Sequence, residues 1–160
     1  MRIRSRQIIR VVAATAAAAV AWGIGLVLIF GPAQRILADP ALQSPKFIEV
    51  FTQPPPPRIA DEPALLGIIL LVVGLAQAIA YAWLEPKLSG RFYRNGSSFG
   101  LLSWALMVPW FELYLPWNVM REPLPLVILE SICWLVVLQI VGISVAGVYG
   151  IRGFEAEPRR

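Results

Sequence analysis

The sequence predicts an all-α integral membrane protein, a four-transmembrane-helix bundle with its N-terminus and C-terminus cytoplasmic. Three observations predict it. The chain holds four apolar runs, each near the roughly 20 residues that cross a hydrocarbon core about 30 Å thick. Its charged residues, 15% of the chain against roughly 25% in soluble domains, sit between those runs. Its lysines and arginines are unevenly divided between the two sides that such a path would create. Hydrophobic residues make up 58% of the 160 and the mean hydropathy is +0.66, more than a soluble core needs.

The first helix is expected over about 8–30, from the uncharged run Val11 to Phe30. The second, 64–84, has Gln77 as its only strongly polar member. The third, 98–117, contains Pro109, Glu112 and Pro116, and the fourth, 124–150, contains Glu130 and Gln139. These runs are continuously apolar, whereas barrel strands alternate and need many segments to close, so helices are predicted. The connections are an external loop 31–63, a cytoplasmic loop 85–97, an external turn 118–123 and a cytoplasmic tail 151–160.

Orientation follows from charge. One side carries Arg2, Arg4, Arg6, Arg10, Lys87, Arg91, Arg94, Arg152, Arg159 and Arg160; the other carries Arg35, Lys46, Arg58 and Arg121. The richer side is retained inside. Tyr81 and Trp83 then mark the inner interface, and Trp110, Tyr114 and Trp117 the outer one. A cleaved signal peptide is the rival for the first segment. Its apolar core is too long, and Ile36 occupies a small-residue position before a cut at Ala38. Short loops suit a bacterial plasma (inner) membrane.

In the long loop, Pro54 to Pro57 read as a stiff spacer. Ser44 and Pro45 are placed to start a short helix over Lys46 to Phe51, with Phe47, Val50 and Phe51 on a face that can rest on the membrane surface.

Composition excludes several functions. With no histidine and one cysteine, Cys133, the chain has no imidazole for haem, zinc or copper, and no CxxC pair. No catalytic, cofactor-binding or metal-binding residues are assigned and no cofactor is expected. The net charge of +4 is explained by anionic membrane lipids and not by nucleic acid, because the basic residues form short blocks beside apolar runs.

Small residues four apart, Ala13, Ala17, Ala21 and Gly25 on the first helix and Gly142, Ala146 and Gly150 on the fourth, predict close packing faces that could also serve a protein partner or a second copy. Gln77 and Gln139 lie at similar depths, roughly 20 Å from the outer boundary, and form a candidate interior polar pair. The candidate functional site is Glu112, Glu130, Arg121, Trp110 and Tyr114. A carboxylate inside an apolar run costs several kcal/mol unless paired, protonated or wet. Both glutamates lie roughly 8–9 Å below the outer boundary, with Arg121 in the short turn between them as counter-ion. Glu130 and Gln139 are nine residues apart, so about 100° per residue sets them on opposite sides of the fourth helix.

Three functions fit. The first is a small polytopic, non-catalytic subunit or interaction protein of a membrane assembly. The second is a proton-linked transporter or permease component using Glu112 and Glu130. The third is a lipid-modifying enzyme using the same pair as acid and base. The lack of any nucleophile or phosphate-binding loop weighs against an enzyme.

Overall fold

The computed structural model describes the backbone of residues 2–151, with side chains from residue 7. Arg2, Arg4 and Arg6 as side chains, and the tail with Arg152, Arg159 and Arg160, lie outside the described residues. Those residues form helices and no strand, and four helices are long and apolar enough to cross a membrane. We label the spans α1 (Gln7–Leu37), α4 (Pro63–Lys87), α5 (Phe92–Val119) and α6 (Leu124–Tyr149). Two short helices, α2 (Pro45–Thr52) and α3 (Arg58–Asp61), lie in the connection from α1 to α4. The bundle therefore has a long-loop end and a terminal end.

Three boundaries differ from expectation, each for a local reason. The first helix does not stop at residue 30. Leu26–Phe30 is a π-helical turn, after which the helix resumes over Gly31–Leu37 with Pro32 in its first turn, and the wider turn before it is one way to absorb the missing N–H. The third begins at Phe92, six residues early. Arg91 is extended before it, and the Asn95 side chain clasps the preceding loop, its Oδ1 accepting from the Gly90 N–H at 3.0 Å and its Nδ2 donating to the Gly90 carbonyl at 2.9 Å. Polar residues fill this turn, so hydropathy does not register it. The third also changes character at Leu113–Val119, a π-helical stretch containing Pro116 and following Pro109. Pro109 cannot donate to the carbonyl four residues back, and a wider turn is one way to absorb that defect.

Ser44 caps α2 as expected, its hydroxyl accepting from the Phe47 N–H at 3.0 Å with Pro45 next. Phe47 and Phe51 pack with ring centroids 5.0 Å apart, and Val50 and Phe51 remain exposed.

The spans are arranged in space as α4, α1, α6, α5. Helix α6 is central and touches all three others. Against α5 it makes the closest approach in the molecule: a Cβ placed on Gly96 would stand 2.6 Å from the Cα of Ile143 and 2.7 Å from the Gly142 carbonyl oxygen. Gly100 meets the carbonyl of Leu138 in the same way. This Gly96/Gly100 face, with GxxxG spacing, is absent from the ladders read in the sequence. Of those ladders, Gly142 and Ala146 are buried while Gly150 is exposed, and on α1 the buried stripe is Ala14, Ala18, Ala21 and Gly25, one position from Ala13 and Ala17. Helix α1 packs on α4 where Gly74 faces the Thr15 carbonyl and Ala18. It packs on α6 where Gly25 lies against Val137 and where Phe30 and Trp22 flank Trp134, at centroid distances of 4.3 and 5.7 Å. At the terminal end Tyr81 of α4 meets Phe99 and Tyr149 at 5.2 and 5.1 Å.

Gln77 and Gln139 do not pair. The Gln77 Oε1 accepts from the Trp22 indole N–H at 2.8 Å, and the Gln139 Oε1 accepts from the Ser97 hydroxyl at 2.6 Å. Similar depth placed them in one layer, but α1 and α5, on either side of α6, each supply a nearer donor.

Candidate functional site: a buried carboxyl cluster at the long-loop end

Glu112 is the last α-helical residue of α5 before its π-helical stretch, and the helix turn there points it inward, 1% exposed. Its carboxyl faces that of Glu130 on α6, with the Trp134 indole beside it. Two ionised carboxylates can only accept, so they cannot bond each other without a proton between them. Among the described residues no N–H or O–H satisfies either oxygen of Glu112.

The expected counter-ion is not there. Arg121 has a left-handed backbone with φ of 59° and an exposed side chain, and among the described residues the one salt bridge joins Arg10 and Glu85 at the far end. The same sharp turn carries the next residue inward instead. Glu122 is 2% exposed and sits at the same end of the bundle as the Glu112–Glu130 pair. Its Oε1 accepts from the Gln43 Nε2 at 2.6 Å, while its Oε2 has no partner among the described residues. Gln43 also donates to the Leu37 carbonyl at 2.9 Å and accepts from the Ser44 N–H at 2.9 Å. The Ser44 hydroxyl in turn donates to the Met120 carbonyl at 2.6 Å. The long loop is thereby pinned over the α5–α6 turn and closes the cluster from above.

Trp110 and Tyr114 stand apart from it. Each is two residues from Glu112, about 200° around the helix, and so faces outward. Their rings stack at 5.0 Å and line an outer apolar groove with Pro109, Leu113 and Trp117. The indole that accompanies the carboxyls is Trp134. Nor do Glu130 and Gln139 diverge as their spacing implies, since both reach α5. The glycine contact brings the two helices so close that long side chains on either flank of α6 meet it.

Both π-helical segments border this cluster. Leu113–Val119 follows Glu112 directly, and Leu26–Phe30 ends at the Phe30 ring against Trp134. Such departures from α-geometry concentrate where side chains must be aimed for function. Among the described residues no group of three His, Cys, Asp or Glu side chains has the geometry to hold a metal ion.

Burial pushes the Glu122 carboxyl up, and the Gln43 hydrogen bond, acting the other way, offsets this in part. The folded chain then holds this proton at a pH where the unfolded chain has released it. Stability is highest below the ordinary carboxylate range and falls as pH rises through the raised value. Glu122→Gln keeps an acceptor for Gln43 and removes the ionisation. Its unfolding free energy in detergent should match the parent's at acid pH and exceed it at neutral pH by on the order of 1 kcal/mol. A variant less stable at neutral pH would contradict this.

Comparison of the chain with protein-family models, with curated proteins and with solved structures finds no match.

Proposed function

We propose that the chain is a proton-linked component of a membrane transport assembly, with the Glu112–Glu130 pair as its proton-binding group. The observation that carries this reading is the carboxyl of Glu112, fully enclosed, turned to a second carboxyl, with the Trp134 indole beside it and no counter-ion among the described residues. One shared proton neutralises half of the charge and supplies the missing hydrogen bond. Pro109, Pro116 and the two π-helical turns give the surrounding backbone alternatives in pairing that a regular helix lacks.

The exposed surface supports insertion in a bilayer. Val27, Leu106 and Trp83 are 70, 71 and 79% exposed, and in water each such side chain forgoes about 1.5–3 kcal/mol of burial. With Arg10, Lys87, Arg91 and Arg94 at the terminal end, that end lies in the cytoplasm of a bacterial plasma membrane and the carboxyl cluster lies toward the outside. The glycine contacts close α5 on α6, so cargo would move along a surface completed by a partner or a second copy. This is why the chain is proposed as the proton-conducting component, with the proton path inside it, and not as a complete transporter.

The test is proton entry into vesicles of the reconstituted protein under a clamped potential, read by an entrapped pH dye. Wild type should pass protons, and Glu112→Gln and Glu130→Gln should slow entry by about tenfold or more with helix content unchanged. Equal rates in all three would overturn the reading.

A further inference from the structure

At the opposite end of the bundle a cavity of about 200 Å³ opens between the ends of α4 and α6 and the start of α5. Tyr81, Glu85, Phe92, Asn95 and Tyr149 line it. The polar atoms in this wall are not equally available. Both amide atoms of Asn95 are engaged by the Gly90 backbone, at 3.0 and 2.9 Å, and hold the loop that forms one side. The Tyr149 hydroxyl points to the Ala78 carbonyl at 3.4 Å. That leaves the Glu85 carboxylate and the Tyr81 hydroxyl, the latter beside the Asn95 side chain.

Glu85 has a cation nearby, yet an incomplete one. The Arg10 Nη2 is 3.7 Å from its Oε1, outside hydrogen-bond range, while that nitrogen donates to the Tyr149 carbonyl at 3.0 Å and the guanidinium lies 5.0 Å from the centre of the Tyr149 ring. Arg10 does not line the cavity. What does line it, beside Leu88, Gly90, Asn95, Ala146 and Gly150, is one carboxylate, two tyrosines and Phe92, in a wall more polar than apolar. A carboxylate attracts positive charge, and aromatic faces attract it where a strongly hydrated metal ion would find too few oxygens. The volume admits a cation of a few heavy atoms and excludes a nucleotide or peptide.

We propose that this cavity binds a small organic ammonium, with Glu85 and Tyr81 accepting its N–H groups and the rings of Phe92 and Tyr149 packing on its carbon atoms. Two sources offer that group: the ethanolamine headgroup of a phospholipid in the adjoining leaflet, and a soluble amine. The carboxyl cluster at the long-loop end plays no part, so the two proposals stand or fall separately.

The test is native mass spectrometry of the full chain released from nanodiscs that contain equal phosphatidylethanolamine and phosphatidylglycerol, alongside a titration with ethanolamine hydrochloride in detergent. Wild type should retain phosphatidylethanolamine over phosphatidylglycerol if the lipid is the source, or bind ethanolamine alone if a soluble amine is. Either preference should fall about tenfold in Glu85→Gln and less in Phe92→Leu, which leaves the Arg10–Glu85 contact intact. No preference between the lipids together with no ethanolamine binding would overturn the proposal. So would a preference unchanged in both variants, with elution as a single folded species as the control.

Discussion

Gly142→Val should be the most damaging single substitution in the bundle, lowering stability by about 3 kcal/mol or more. A Cβ at this position would stand 2.8 Å from the Gly100 nitrogen and 3.0 Å from its Cα, with the Gly96 carbonyl oxygen closer still. All three are backbone atoms, which no rotamer change can move aside. The helices must separate, and in lipid there is little hydrophobic force to draw them back, since association rests on van der Waals contact. Separation would also detach Ser97 from Gln139 and the Trp104 indole N–H from the Ser131 carbonyl, which it now meets at 2.8 Å. Gly23→Ala is the matched control, because a Cβ there meets nothing within 4 Å and alanine favours the helix. Thermal unfolding in detergent should show a large fall for the first and no loss for the second.

Gln43→Ala should have the second largest effect, about 2–4 kcal/mol, and should act through the turn and not through a span. Gln43 is 7% exposed and makes three hydrogen bonds, to Leu37, Glu122 and the Ser44 N–H. Truncation leaves the Leu37 carbonyl without this donor and both carboxylate oxygens of Glu122 without a partner, and a buried polar atom without a partner costs more than a formed bond contributes. The loop should then lift from the α5–α6 turn. Amide hydrogen exchange should rise around residues 38–45 and 118–123 while the middle of α6 stays protected; uniform exchange throughout the protein would contradict this assignment.

The four long apolar helices, long enough to cross a membrane, were legible because bilayer thickness converts directly into apolar length, and no tertiary detail is needed to read it. Their ends were less so. The turn from Phe92 to Ser97 is helical but polar, so an apolar window starting at 98 assigns Gly96 to a loop and hides its spacing with Gly100. Pro32 resembles a stop until the π-helical turn before it is known. Glu112 and Glu130 were legible as a pair through depth alone. Glu122 and Gln43 were not, because a polar residue in a connection is ordinarily solvated, and their burial depends on a loop folding back onto a residue 79 positions further along the chain. Arg121 was chosen for its charge, whereas the backbone turn at that residue decides which of two neighbours faces inward. Trp110 and Tyr114 share the depth of the cluster but not its face, and depth without azimuth cannot separate them from Trp134.

Infrared difference spectroscopy of the reconstituted protein is the most direct test of the central claim, a proton held between Glu112 and Glu130. Glu122→Gln serves as the background, so that its own carboxyl does not contribute. On a step from acid to alkaline pH, one carboxylic-acid C=O band should be lost, and that band should shift when Glu112 or Glu130 is also replaced by glutamine and be missing from the start when both are. A spectrum with no such band at any pH, or a band that survives both replacements, would contradict the account.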